Sequence, residues 1–254
     1  MLNLDINHHF SERSVKYNDG NSWIMDQSVL AAISSFLPTS FSRLIDLGAG
    51  TCVVSQNIVN TIFGDYEVFA VDINESMLNK CNNPKINRIV SDIGLIPFSD
   101  NYFDVVVTRQ CLHYIKYLQR IIQEIKRIII PSGTVILAQI VPFDKDTFDL
   151  WANIVKIRQP LRQNYFDSEI WTSIFVSNGF QLINSHHLVT RSSVNDWIYK
   201  YNVSEPELIK NIRKLFVTAP SDYKEKYCVN FEKNDITYNL NWFIAQFCLE
   251  TGGI

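Results

Sequence analysis

The segment Leu44-Ile-Asp46-Leu-Gly48-Ala-Gly50-Thr51-Cys52 constrains this chain more than any other. Leu44-Ile45 leads into a short buried strand, and the glycines open it into an apolar-striped helix predicted over Cys52–Phe63. A Gly-rich turn there lets backbone approach a ligand and aims the first helical N–H groups at it. The rest of the first half repeats the unit. Strands predicted over Tyr66–Val71, Ile86–Val90, Phe103–Val107 and Thr134–Val141 alternate with helices over Glu75–Cys81 and Lys116–Ile130. The last helix sets Leu118, Ile121, Ile122, Ile125, Ile128 and Ile129 on one face, and Pro131-Ser132-Gly133 stops it. The alternation predicts a parallel sheet covered on both faces, with its ligand site beyond the carboxyl ends of the strands.

The flanking regions are less regular. A helix is predicted over Ser22–Leu37, ended by Pro38. After the sheet come helices over Asp144–Arg158 and Asp167–Ser177, a strand over Phe180–Leu188, helices over Val194–Tyr201 and Glu205–Val217, and a terminal strand over Ile236–Leu249. The aromatics of this half, Trp151, Tyr165, Trp171, Trp197, Tyr223 and Tyr227 among them, suit either a core or the roof of an apolar pocket. Arg158, Arg162, Lys210, Arg213 and Lys214 read as solvated helix faces.

Composition narrows the partners. With 254 residues, 46% hydrophobic and 19% charged, the chain reads as one large globular domain rather than a disordered one. A net charge of −3 carries no footprint for nucleic acid. No apolar run approaches the roughly 20 residues of a membrane span. The first residues show no cationic and then apolar signal, so a cytoplasmic protein is expected. Cys52, Cys81, Cys111, Cys228 and Cys248 form no C-x-x-C and read as reduced thiols. His8-His9 and His186-His187 are adjacent pairs, whose side chains diverge, and no metal site is expected from them.

The acids carry the chemistry. A dinucleotide loop would place a third glycine where this chain has Val53. Asp46 would repel a pyrophosphate, yet it suits a ligand with an ammonium and a sulfonium, both of which S-adenosylmethionine carries. Asp72 ends the next strand about 20 residues past the loop, where an acid accepts hydrogen bonds from ribose hydroxyls. Asp92 ends the following strand, placed to accept from an adenine amine while the Ile93 N–H meets a ring nitrogen. A single Asp at a strand end is often only a cap. Three in order, at successive carboxyl ends, form the stronger pattern.

With these residues the chain resembles the class I S-adenosylmethionine-dependent methyltransferases, in particular the small-molecule branch that includes the ubiquinone/menaquinone-biosynthesis type. Asp46-Leu-Gly-Ala-Gly50-Thr is similar to the family's glycine motif, and Val71-Asp72-Ile-Asn-Glu-Ser-Met77-Leu to its ribose segment. Ser91-Asp92-Ile-Gly-Leu-Ile-Pro97-Phe98 corresponds to its adenine segment, Thr108-Arg-Gln-Cys-Leu112-His113-Tyr114 to its motif after strand four, and Ile130-Pro131-Ser132-Gly133 to its turn before strand five. The resemblance covers Tyr17 to Val141, with a weaker echo over Tyr165–Phe180. Two positions depart from it: Cys52 replaces the usual glycine, and Gly94 stands where an acid or polar residue is common.

The resemblance implies a Rossmann-like α/β fold with a mostly parallel seven-stranded sheet, helices on both faces and an antiparallel last strand. It implies one methyltransferase domain, with an N-terminal lid helix in 1–42, a cofactor core in 43–141, and a substrate-side half in 142–254 holding a helical insertion at 192–235. By the same resemblance, Gly48, Ala49 and Gly50 pass beneath the methionine part of S-adenosylmethionine, with Asp46 balancing its charge. Asp72 holds the ribose, Ile73 and Met77 pack on the adenine, and Asp92 with Ile93 reads the adenine edge. Thr108 lies near the sulfonium through its backbone, and Tyr17 covers the cofactor from the lid. His113 is the candidate base, or else a structural imidazole at a helix start. Arg109 either orients an acidic substrate or pairs with a local carboxylate. The expected partner is a small-molecule methyl acceptor, with no nucleic acid and no membrane span, for a monomer or homodimer. The alternative is a protein of the same fold that has lost transfer or catalyses another reaction such as cyclisation.

Overall fold

Strand pleating divides the apolar residues of this chain between two cores in the computed structural model, which describes residues 2–19, 23–200 and 206–250. Ser22, Tyr201 and Glu205, where predicted helices begin or end, lie outside the described residues. Helices α1 (Leu2–Arg13) and α2 (Gln27–Ser35) precede β1 (Arg43–Leu47), α3 (Val53–Thr61), β2 (Glu67–Asp72), α4 (Glu75–Leu78) and β3 (Ile86–Val90). Next, β4 (Phe103–Arg109) passes through a 3-10 turn at Leu112–Tyr114 into α5 (Leu118–Ile128) and β5 (Ile129–Val141). The second half runs α6 (Phe148–Arg158), α7 (Ser168–Val176), β6 (Phe180–Ser193), α8 (Val194–Lys200), α9 (Pro206–Val217), α10 (Ser221–Lys226), β7 (Asn230–Phe231) and β8 (Ile236–Leu249).

The strands form one sheet in the order β3-β2-β1-β4-β5-β8-β6, with β7 beside β8. Strands β1 to β5 are parallel, and β8 runs antiparallel to both β5 and β6. The chain winds outward from β1 to β3 and then returns to β4, so strand order reverses between β1 and β4. That reversal opens the crevice in which such sheets bind ligands. On one face Leu44, Val68, Val105 and Val107 pack with α2 and α3; on the other, Ile45, Phe69, Val106 and Val135 pack with α5 and α7. One residue of register separates these sets, as a pleated strand requires.

Of the boundaries that differ from the sequence reading, three have a direct physical reason. Helix α2 begins at Gln27 because Asp26 caps it, accepting from the Ser28 and Val29 N–H groups. Pro131-Ser132-Gly133 lies within β5 rather than before it. Pairing jumps there from Phe103↔Ile129 to Val105↔Thr134, with Ser132 at φ 62°, so the three residues form a bulge. Strand β6 runs past Leu188 to Ser193 because it keeps pairing with β8 as far as Thr237.

The cationic faces also need correction. Arg158 and Arg162 are only 7% and 5% exposed, not solvated. The Arg158 guanidinium lies 5.6 Å from the Trp197 ring and donates to the Tyr238 hydroxyl, while Arg162 lies 5.2 Å from the Trp151 ring. Aromatic faces and hydrogen bonds replace the water that a helix surface would supply. No helix among the described residues is long and apolar enough to cross a membrane.

Candidate active site

A cavity of about 960 Å³, counting its open mouth, lies at the carboxyl ends of the central strands. Tyr17, Asp46, Gly48, Ala49, Gly50, Asp72, Ile73, Met77, Asp92 and Ile93 all line it. Asp46 leaves β1 on the α3 side, where it is buried and accepts from Ser55 Oγ at 2.7 Å. Burial pushes its carboxyl up to about 6, against the pull of Ser55 and of Arg109. At Gly48, φ is 67° and an added Cβ would overlap Cys111 Sγ, so the loop passes where no side chain fits. Gly50 donates its N–H to Asp72 Oδ2 at 2.8 Å, and Asn74 donates to Asp72 Oδ1 at 2.8 Å. Each Asp72 oxygen keeps a lone pair beyond that bond, and burial raises its carboxyl above the ordinary range.

Both departures from the family pattern have local explanations. Cys52 takes φ 60°, the left-handed conformation that glycine adopts freely, and its buried side chain stays out of the cavity lining. At Gly94 an added Cβ would come within 3.0 Å of Ile121 and 3.1 Å of Arg120 on α5. The Gly94 N–H donates to Asp92 Oδ1 at 2.8 Å, which fixes that carboxylate at the end of β3.

Two expected residues stand behind the wall. Pleating turns Thr108 to the other face of the sheet, where its hydroxyl donates to Leu47 O. His113 is fully buried and absent from the cavity lining; its neighbour Tyr114 lines it instead. The expectation that the imidazole faces the transferred group is therefore corrected. Burial, then the charge of Arg162, pushes the His113 pKa well below its usual value, so the ring is neutral. Its Nδ1 lies 3.0 Å from Gln139 Oε1; an amide oxygen only accepts, so Nδ1 carries the proton and Nε2 a lone pair.

Other lining residues were not singled out for the cofactor. Ile6 and Phe10 of α1, with Trp23, Arg109, Gln110, Cys111, Tyr114 and Ile115, complete much of the wall. Helix α1 is tied down by Asn74, which donates to Asn7 O at 2.7 Å and Ser11 Oγ at 2.8 Å, while Thr51 donates to Asn18 Oδ1. Cys111 and Tyr114 fall inside the motif after β4 and were within reach of the sequence. Ile6 and Phe10 carry no signal beyond being apolar.

Residues 45–137 match the family model described as a methyltransferase domain. Over 162 residues the chain is 27% identical to the human mitochondrial arginine-hydroxylase NDUFAF5, covering 63% of this chain and 44% of that protein. Over 103 residues it is 29% identical to the ubiquinone/menaquinone biosynthesis C-methyltransferase UbiE of Burkholderia cenocepacia, covering 38% of this chain and 42% of that one. The chain thus spans less than half the length of these curated relatives. In three dimensions it superposes on a Bacillus halodurans crystal structure described as a methyltransferase, with a TM-score of 0.78 and 19% identity over 88% of this chain and all of that one. The glycine loop and the acids that follow it lie at the start of and within the matched segment, so residues 45–137 are similar to a methyltransferase domain, on a fold shared with solved methyltransferase structures.

Proposed function

We propose that the cavity binds S-adenosylmethionine and that the protein transfers its methyl group to a small-molecule acceptor. The observation that carries this reading is the convergence of Asp46, the Gly48–Gly50 loop, Asp72 and Asp92 on one cavity at the β1/β4 reversal. The residues fit the group. At Gly50 an added Cβ would meet only Met77, at 3.4 Å, so the bare loop leaves room on the cavity side, and Asp72 offers one lone pair on each oxygen to a vicinal diol. Asp92 and the Ile93 N–H suit the adenine edge, while Ile73 and Met77 supply apolar faces for the ring. Asp46 and Arg109 present opposite charges to the zwitterionic methionine end.

When bound, S-adenosylmethionine supplies a methyl group activated on a sulfonium. The protein's part is to align, desolvate and enclose. Phe10, Tyr17, Trp23 and Tyr114 give the wall aromatic faces that would displace water once a ligand is seated. His113, neutral and behind the wall, positions the turn that presents Tyr114, its carbonyl accepting from the Gln163 and Asn164 N–H groups. A base is needed only where the acceptor keeps its proton at neutral pH. Calorimetric titration with S-adenosylmethionine and S-adenosylhomocysteine tests the site; absence of binding to either refutes it. A second reading, a reaction other than methyl transfer at the same site, is favoured by the name of the human relative. Stoichiometric release of S-adenosylhomocysteine with a methylated product decides for transfer.

A further inference from the structure

The sheet ends in two edges, and only one of them is guarded. Strand β3 ends one side: it is five residues long, follows Pro84-Lys85 and carries the exposed Arg88. Strand β6 ends the other and runs for 14 residues. Its inner side pairs with β8 from Phe180 to Ser193, and its outer side pairs with no strand among the described residues. A long free edge offers a row of backbone donors and acceptors to another strand, and proteins blunt such edges with charge, Pro or bulges. From Phe180 to Thr190 there is no Lys, Arg, Asp, Glu or Pro. Arg191, the first charge reached, is folded back onto Cys228 O, Asn239 and Thr237 of its own chain. A bulge interrupts pairing between Leu182 and Asn184, yet what it leaves in the open is Ile183, not a charge.

We propose that β6 is a dimerisation edge, pairing antiparallel with β6 of a second copy of this chain about a twofold axis at His186 and joining two sheets into one. A symmetric ladder of this kind sets each residue against the partner residue equally far beyond the axis. Ile183 and Val189 stand three residues to either side of His186 and are 51% and 48% exposed. In this register each covers the other across the ladder, twice per dimer, and such cross-strand side-chain pairs are what stabilise antiparallel strands. Ser185 meets His187, and no Lys, Arg, Asp or Glu opposes its like. Ile183 to His187 are all exposed, so a second strand reaches this stretch without displacing a neighbour.

The flank of the edge adds surface to the ladder. An open groove of about 730 Å³ runs between α7 and β6, lined by Val176, Ser185, His187 and Phe243 among others. The acid beside it, Glu169, is paired with Lys145 at 3.0 Å. An interface built on one strand and its flank is small, so the association is reversible, with Kd on the order of tens of micromolar. It does not depend on what the main cavity binds.

Sedimentation velocity on the full chain, from about 1 to about 200 µM, tests the pairing without any ligand. The mass should rise with concentration from the 29.4 kDa of one chain toward twice that value. Ile183→Lys and Val189→Glu each set a charge against an apolar side chain and should weaken association about tenfold or more. Both positions are exposed, so thermal unfolding of each variant should stay within about 2 °C of wild type. Mixing the two variants opposes the introduced lysine to the introduced glutamate in this register, and the mixture should dimerise where neither variant does alone. Independently of any added charge, His186→Cys should crosslink to its own copy when oxidised glutathione is supplied, since facing Cα atoms about 4.5–5.5 Å apart suit a disulfide. The wild-type chain, with its free native thiols, should not. A chain that stays monomeric at about 200 µM, a dimer that survives either folded variant, a mixture that fails to recover, or the absence of that crosslink overturns the proposal.

Discussion

Asp46 carries opposite consequences for stability and for binding. Its folded pKa of about 6 lies above the ordinary 3.8, so the native state holds the proton more tightly than the unfolded chain. Stability from this group is present at low pH and lost as pH rises from about 4 through 6, by up to about 3 kcal/mol. Asp46→Asn is therefore expected to melt higher than wild type at pH 8 and alike near pH 4, by calorimetric scanning. Affinity for S-adenosylmethionine runs the other way: it should rise as pH climbs through about 6, a step that Asp46→Asn removes. Gly48→Ala places a side chain at φ 67° against Cys111, and a fall of about tenfold or more in S-adenosylhomocysteine affinity is expected, partly restored by adding Cys111→Gly. Asp72→Ala should cost about tenfold or more by the same titration, since two backbone donors and the ribose would lose one acceptor. These positions were legible in the sequence because their chemistry demands one residue type at one spacing. Arg158 and Arg162 were not: charge at a helix end reads as surface, and what buries it here, Trp197 and Trp151, arrives through tertiary packing.

At the level of elements, the alternating strands and the striped helix α5 were readable because burial enforces periods of two and 3.6. Helix α1 was not, because its place depends on single hydrogen bonds across distant segments. Asn74 both caps α4, accepting from the Met77 N–H, and holds α1 through Asn7 and Ser11. Asn74→Ala should cost about 1–2 kcal/mol of stability in chemical denaturation and expose the segment before Asp19 to limited proteolysis. Protection should return more weakly with S-adenosylhomocysteine than in wild type. Because Ile6, Phe10 and Tyr17 stand in the cavity wall, lifting of this segment is expected to speed the proposed exchange of product for fresh cofactor. Single-turnover methylation should then outrun steady-state turnover, with a burst in rapid-quench measurements equal to the enzyme present.

Across the whole molecule, two cores back one sheet, and the ligand crevice lies where both meet the β1/β4 reversal. A ligand bound only by the native state should stabilise all of it together. At 100 times its dissociation constant S-adenosylhomocysteine should add about 2.7 kcal/mol, raising the melting temperature by roughly 5–10 °C for a chain of this size. The order of strands in space has a further outcome, one that concerns synthesis rather than function. Strand β8 lies between β5 and β6, yet it is made after both. Until Ile236–Leu249 has left the ribosome, β5 lacks its antiparallel neighbour, and Phe180–Ser193 has no place in the sheet. A nascent chain stalled before Ile236 should therefore be digested by protease beyond β5, and one stalled with β8 clear of the tunnel should resist. For a stretch of the translation cycle, two long strand edges await a partner, which makes this interval the one in which a chaperone would matter most.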